Sequence, residues 1–250
     1  MSKNQKKVWI TGASSGIGKA LAEKFSKENW KVAISARREN LLDEISKDKN
    51  ISSFPLDVTD EEKVDKVFAN IIDEFENIDL CVFSSGAYDP KLEKEINNKQ
   101  IRNIMNVNFF GVLNCIKSVE KYFKNKKDGH ISIVSSIAAY RGLPNSSGYG
   151  PSKAALTNLT ESLYFDFKKY NVRISLVSPG FIKTPLTDKN EFKMPFIKSP
   201  EFAANKMYSG LIKTKSFEIC FPKELTTTLK ILRILPYRLY LFLVEKLVKR

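Results

Sequence analysis

The sequence holds one histidine, three cysteines and no apolar run approaching the roughly 20 residues that a membrane-spanning helix needs. The single histidine, His130, excludes a multi-histidine metal centre and any Ser-His-Asp constellation not built on His130 itself. A lone histidine at the start of an apolar run reads as structural or exposed. Cys81, Cys115 and Cys220 form no CxxC pair. They sit among apolar neighbours, as in Leu80-Cys81-Val82-Phe83, and read as small buried hydrophobes. No metal site is expected. Acidic residues are the minority, 28 against 41 Lys and Arg, for a formal net charge of +13. The basic residues are dispersed, and no helix-turn-helix, zinc or RNA-binding signature accompanies them, so no nucleic-acid partner is expected. Met1–Lys7 is short and polar with an apolar strand directly after it, which does not read as a signal peptide. A reduced, cytoplasmic compartment is the default that follows.

What is present is an alternation of apolar β-rich runs with helical patterns. With 42% hydrophobic residues over 250 positions, the chain can bury a sizeable core. Strands are expected at Val8–Ile10, Lys31–Ser35, a third ending in Ser53–Leu56, Asp79–Phe83, Ile131–Val134, Val172–Val177 and Phe217–Phe221. Helices are expected at Gly18–Lys27, Asn40–Lys47, a stretch capped by Thr59 or Asp60, Gln100–Asn106, Phe109–Phe123 and Ala154–Tyr170. Strands separated by helices predict βαβ units and a mostly parallel sheet covered on both faces.

Thr11-Gly12-Ala13-Ser14-Ser15-Gly16-Ile17-Gly18 falls between the first strand and the first helix. Glycines permit backbone angles that other residues resist and let the main chain approach a ligand. The helix N-terminus behind them offers free N–H groups to a pyrophosphate. The spacing is GxxxGxG, not the commoner GxGxxG. Glycine turns also join strands to helices with no ligand, but at the first βα junction this one points to a dinucleotide. The second strand ends Ser35-Ala36-Arg37-Arg38 with no acid to accept from a ribose 2′-hydroxyl. Arg37 and Arg38 suit the extra phosphate of NADP, so NADPH is favoured over NADH. The plainer alternative is that both arginines belong to a solvated loop.

Tyr149-Gly150-Pro151-Ser152-Lys153 places a tyrosine and a lysine four apart, on one face of a helix start. A phenol with a pKa of about 10 is a poor base near neutrality. A nearby ammonium favours the phenolate, giving a group that exchanges a proton with a carbonyl or alcohol oxygen. With nine tyrosines in the chain, this spacing alone is weak; its neighbours give it meaning.

Over roughly residues 6 to 222 the chain resembles the short-chain dehydrogenase/reductase family, motif by motif and in order. Thr11–Gly18 matches its TGxxxGxG turn, with Gly12, Ser14, Ser15, Gly16, Ile17 and Gly18 facing the cofactor. Asp57-Val58 matches the pair that contacts the adenine ring. Asn106-Val107-Asn108-Phe109-Phe110-Gly111 matches the segment with the family asparagine, here Asn108. Ser136 stands thirteen residues before Tyr149, as the family serine does, and Ser178-Pro179-Gly180 through Thr184 matches the segment that holds the carboxamide. The resemblance implies a Rossmann-type, doubly wound parallel sheet of about seven strands. It also implies a catalytic tetrad of Asn108, Ser136, Tyr149 and Lys153. In that scheme Tyr149 transfers the proton and Ser136 steadies the substrate oxygen. Lys153 holds the ribose and lowers the phenol's pKa, and Asn108 anchors a water leading to Lys153. Homodimers or homotetramers are usual in such a family. One departure stands out: Ser84-Ser85-Gly86-Ala87 replaces the family NNAG, leaving only Gly86 as a cofactor contact and serine where asparagine braces the sheet.

The expected organisation is a nucleotide-binding domain over 1–223 and a C-terminal helical extension over 224–250. The loop Leu186–Pro200 carries apolar residues where the family has a substrate lid, which suits an apolar carbonyl or alcohol substrate. The tail from Leu225 to Arg250 mixes leucines and aromatics with basic residues and is broken by Pro236. Two readings of it stay open: packing against a partner subunit or over the site, or lying on an anionic membrane surface with its cations snorkelling, at the inner face of a membrane. The function expected is an NADPH-dependent carbonyl reductase or the reverse dehydrogenase. The alternative is a non-catalytic NADP-binding regulatory or membrane-associated protein.

Overall fold

The computed structural model describes residues 5–90 and 95–248. Lys249 and Arg250, part of the basic tail, and Met1–Asn4 of the polar N-terminus lie outside the described residues. Seven strands form one sheet: β1 (Lys7–Thr11), β2 (Lys31–Ser35), β3 (Ile51–Ser53), β4 (Leu80–Phe83), β5 (His130–Val134), β6 (Arg173–Pro179) and β7 (Glu218–Phe221). Their order is β3-β2-β1-β4-β5-β6-β7 and every pairing is parallel. Each crossover carries helix: α1 (Gly16–Lys27), α2 (Glu39–Ile45), α3 (Glu61–Phe75), α4 (Asn98–Met105), α5 (Gly111–Lys126), α6 (Tyr149–Lys168) and α7 (Pro200–Tyr208). After β7 come α8 (Lys223–Ile234) and α9 (Tyr237–Val248), parted at Pro236.

The strands read as continuous apolar runs because both faces of the sheet are covered. On β1, Val8 and Ile10 enter one core layer with Leu21, Phe25 and Met207. Trp9, pointing the other way, joins Phe68, Phe83 and Val119 in the second. Trp9 stacks on Phe68 at 5.7 Å and meets Phe83 edge-on at 5.6 Å. Asp60, one of the two expected caps, accepts from the Lys63 N–H at 3.0 Å and starts α3.

Several boundaries differ from the sequence reading for local reasons. Strand β3 stops at Ser53, although Phe54 and Leu56 still donate to the Ile34 and Ala36 carbonyls. Helix α6 begins at Tyr149, not Ala154, because Pro151 is tolerated in a first turn where its missing N–H has no partner to lose. The expected break between two helices near residue 107 is instead a π-helical turn, Asn106–Phe110, that joins α4 to α5. Cys81 and Cys115 are buried as expected, whereas Cys220 is only partly so.

Candidate active site

From β1 the chain adds strands outward on one side (β2, β3) and then on the other (β4 to β7), and at this switch point between β1 and β4 a cleft opens at the carboxyl ends of the strands. It has a volume of about 490 Å³. One wall is the turn from β1 into α1. Gly12 and Gly16 have φ of +69° and +57°, the left-handed region where glycine is at ease. A side chain at Gly12 would also lie 2.8 Å from the backbone of Ser84 and Ser85, so the turn and the end of β4 are in close contact. Ser84 Oγ donates to the Thr11 carbonyl at 2.6 Å. The serine in place of the family asparagine therefore still ties β4 to β1, by one bond.

Ser15 caps α1 without bonding the first turn's N–H groups. Its hydroxyl is taken by Arg38, whose guanidinium donates to Ser14 Oγ at 3.2 and 2.8 Å and to Ser15 Oγ at 2.8 Å. Arg37 lines the cleft beside it. A cluster of hydroxyls and guanidinium groups at a helix N-terminus, with no acid at the end of β2, suits a phosphate-bearing ligand. Asp57 and Val58 form the adjacent wall. Val58 is set by α5: its carbonyl accepts from Asn114 at 3.0 Å, and a Cβ on Gly111 would collide with its side chain at 2.5 Å. On the far side, Pro179, Gly180 and Thr184 line the cleft, and the Thr184 methyl closes over Gly16.

Ser136, Tyr149, Lys153 and Gly86 reach the same cleft. Lys153 is 4% exposed, its ammonium donates to the Val134 carbonyl at 2.9 Å and stands 5.8 Å from the centre of the Tyr149 ring. Burial pulls its pKa down to about 8. Its own carbonyl accepts from Ser135 Oγ at 2.8 Å, which locks the first turns of α6 to the end of β5. Ser136 Oγ accepts from the Ala138 N–H at 3.2 Å, starting a short turn. Asn108 is fully buried behind the cleft wall and not on it. The π-helical turn aims it at Ala87, with which it exchanges two bonds of 2.6 and 3.0 Å, and at Ser152 Oγ at 3.0 Å. Gly86 lies between Asn108 and Lys153: a Cβ there would be 3.7 Å from the side-chain oxygen of one and the nitrogen of the other.

The sequence reading missed Tyr88. Its ring lies 4.8 Å from that of Tyr149, and its hydroxyl donates to Asn190 Oδ1 at 3.0 Å. Lys189 adds bonds to the Tyr88 carbonyl and the Asp89 carboxylate. The loop after β4 and the loop after β6 are thus latched together beside the phenol. A tyrosine next to Gly86-Ala87 was the only signal, and alone it says nothing. His130 lies away from this cleft, buried and bonded to Ser175 Oγ at 2.8 Å.

Comparison with known proteins agrees with this geometry. A family model described as short chain dehydrogenase matches residues 6–194. An uncharacterized oxidoreductase of Myxococcus xanthus is 30% identical over 236 residues, covering 92% of this chain and 93% of its own. The 3-oxoacyl-(acyl-carrier-protein) reductase of Thermotoga maritima is 31% identical over 185 residues, 72% of this chain and 75% of its own. Among solved structures, ElxO with NADP bound superposes with a TM-score of 0.76 at 29% identity, covering 86% of this chain and 97% of that one.

Proposed function

Because the chain belongs to the short-chain dehydrogenase family, we propose that it is an NADPH-dependent oxidoreductase that reduces a carbonyl to an alcohol, or runs the reverse, with Tyr149 as general acid and base. The observation that carries this reading is Lys153, a buried ammonium beside the Tyr149 ring in the same cleft that the glycine turn and Arg38 line. The nicotinamide cofactor, when bound, supplies or accepts the hydride.

The remaining work falls to the chain's own side chains. Tyr149 passes its phenolic proton to the substrate oxygen during reduction and recovers it in the reverse direction. Lys153, still largely charged at neutral pH with a pKa of about 8, favours the phenolate and holds the ribose. Ser136 donates to the substrate oxygen as charge develops. Asn108 fixes the Gly86–Ala87 loop beside Lys153 through its two bonds to Ala87; in this reading its segment would also anchor a water that links the Lys153 ammonium to solvent. Arg37 and Arg38 receive the 2′-phosphate, Asp57 and Val58 flank the adenine, and Pro179, Gly180 and Thr184 hold the carboxamide. The division into a nucleotide-binding unit over 1–223 and an extension over 224–250 belongs to the same reading. So do a homodimeric or homotetrameric assembly and a reduced cytoplasmic setting, which suits the buried free thiols of Cys81 and Cys115.

The test is Tyr149→Phe. It should cut NADPH consumption against a panel of ketones and aldehydes by about 100-fold or more, while NADPH still binds. Turnover that survives the substitution would exclude the mechanism. NADPH binding by the parent chain with no turnover on any carbonyl would favour a regulatory NADP-binding protein instead.

A further inference from the structure

Twelve large hydrophobic side chains are exposed among the described residues, and half of them lie between Ile231 and Phe242. They are not loose ends. The inner faces of α8 and α9 are already occupied: Leu225 packs beside Ile137 and Tyr140, and Tyr240 and Val244 are buried. Arg141 fixes the pair, donating to the carbonyls of Leu232 and Leu235 and lying 4.0 Å over the Tyr240 ring. Folding thus spends the inner face and leaves an outer one in water that includes Ile231, Ile234, Leu241 and Phe242, with Ile234 80% exposed.

Cations are set among these residues. Residues 223–250 hold seven Lys and Arg against two Glu. Arg233, Arg238 and Lys246 are exposed, and the Lys246 ammonium sits 4.5 Å over the Phe242 ring. The loop after β6 adds exposed apolar side chains beside cations, with Phe192 next to Lys193 and with Phe196 and Ile197 between Lys193 and Lys198. The two patches adjoin: Phe181 meets the Phe192 ring at 5.8 Å and packs in the cluster that Leu229 of α8 joins. That loop also borders the cleft, which Leu186, Thr187 and Lys189 line.

We propose that the outer faces of α8 and α9, together with the 192–197 loop, dock on an anionic lipid surface, and that the cleft draws an apolar carbonyl substrate from that membrane. No described helix is long and apolar enough to cross a bilayer, so the contact is one of lying on the surface. Apolar side chains enter the acyl boundary and the cations meet anionic headgroups. Charge decides between this occupant and a second copy of the chain. A two-fold interface would bring two copies of this basic face, with Arg233, Arg238 and Lys246 on each, to one seam and gather like charge there, whereas an anionic surface neutralises it. The substrate half rests on the oxidoreductase reading; the docking half does not.

The experiment is flotation of the full chain with vesicles of phosphatidylcholine alone or mixed with phosphatidylglycerol. Binding is expected to the mixed vesicles and should fall as salt rises. Two double variants are compared, Leu241→Glu with Phe242→Glu and Arg233→Glu with Arg238→Glu. Each should bind about tenfold more weakly or worse, with melting and NADPH binding retained as proof of folding. Failure of the parent chain to float, or equal flotation of folded variants, overturns the proposal. So does a drop in molecular mass on Leu241→Glu with Phe242→Glu when the parent ignores vesicles, which would make the face a contact between copies. Turnover of a short water-soluble ketone, measured alongside, separates the two readings. If it proceeds without vesicle binding, only docking fails; if vesicles bind and no carbonyl is reduced, only the oxidoreductase reading fails.

Discussion

His130 opens β5 with Arg173 directly across from it on β6. Burial first, and the Arg173 charge second, hold its pKa down to about 3. In the unfolded chain the imidazole takes a proton near pH 6.5; in the folded chain it stays neutral until about pH 3. The unfolded state therefore binds more protons between those values. The neutral histidine's contribution is fully present above pH 6.5 and is lost as the pH falls toward 3, by on the order of 5 kcal/mol. His130→Asn should move the acid-unfolding midpoint, followed by circular dichroism, to lower pH. An unchanged midpoint would mean that another group governs acid unfolding. This residue was legible only as a structural one, since its pairing with Ser175 and its proximity to Arg173 arise from strand register. Tyr149 and Lys153 were more legible, because their spacing is local and helix geometry alone puts them on one face. Tyr88 was not, because it reaches Tyr149 from another loop.

At the scale of elements, the alternation of strands and helices was readable because each strand is buried on both faces and each helix on one. What escaped were junctions, where tertiary contacts outvote local preference. The turn at Asn106–Phe110 adds a residue to a helical path so that Asn108 can bind Ala87, and nothing in Asn-Val-Asn-Phe-Phe announces it. The two C-terminal helices were foreseen, along with their break at Pro236; their clamp was not. Arg141 donates to three carbonyls at the end of α8, of Leu232, Arg233 and Leu235, at 3.0, 3.2 and 2.7 Å, and lies over the rings of Tyr237 and Tyr240. Arg141→Ala should cost roughly 1–3 kcal/mol and speed amide exchange through α8 and α9 more than in the sheet. Exchange that stays unchanged in those helices would show that the apolar inner face suffices to hold them.

For the molecule as a whole, a ligand that binds only the folded state raises the melting temperature by mass action. NADPH at a hundred times its dissociation constant adds about 2.7 kcal/mol, which for a chain of this size is roughly 5–10 °C. NADH at the same concentration should give a smaller rise, since Arg38 is already drawn to the mouth of the phosphate turn by Ser14 and Ser15. Equal shifts from both would remove Arg38 from the account. The strand order carries one more consequence. Every strand runs the same way, so every strand finishes at one rim of the sheet. β7 is last, and its final residue Phe221 pairs with Pro179 of the cleft wall. A segment appended after β7 is thus delivered to the doorway of the cleft by parity of direction, before any of its own contacts form. Here that segment presses Pro222 and Leu225 onto Gly180. Lengthening or rewriting this terminus is the shortest path by which such a fold can acquire a new threshold for what enters, with the chemistry behind it left untouched.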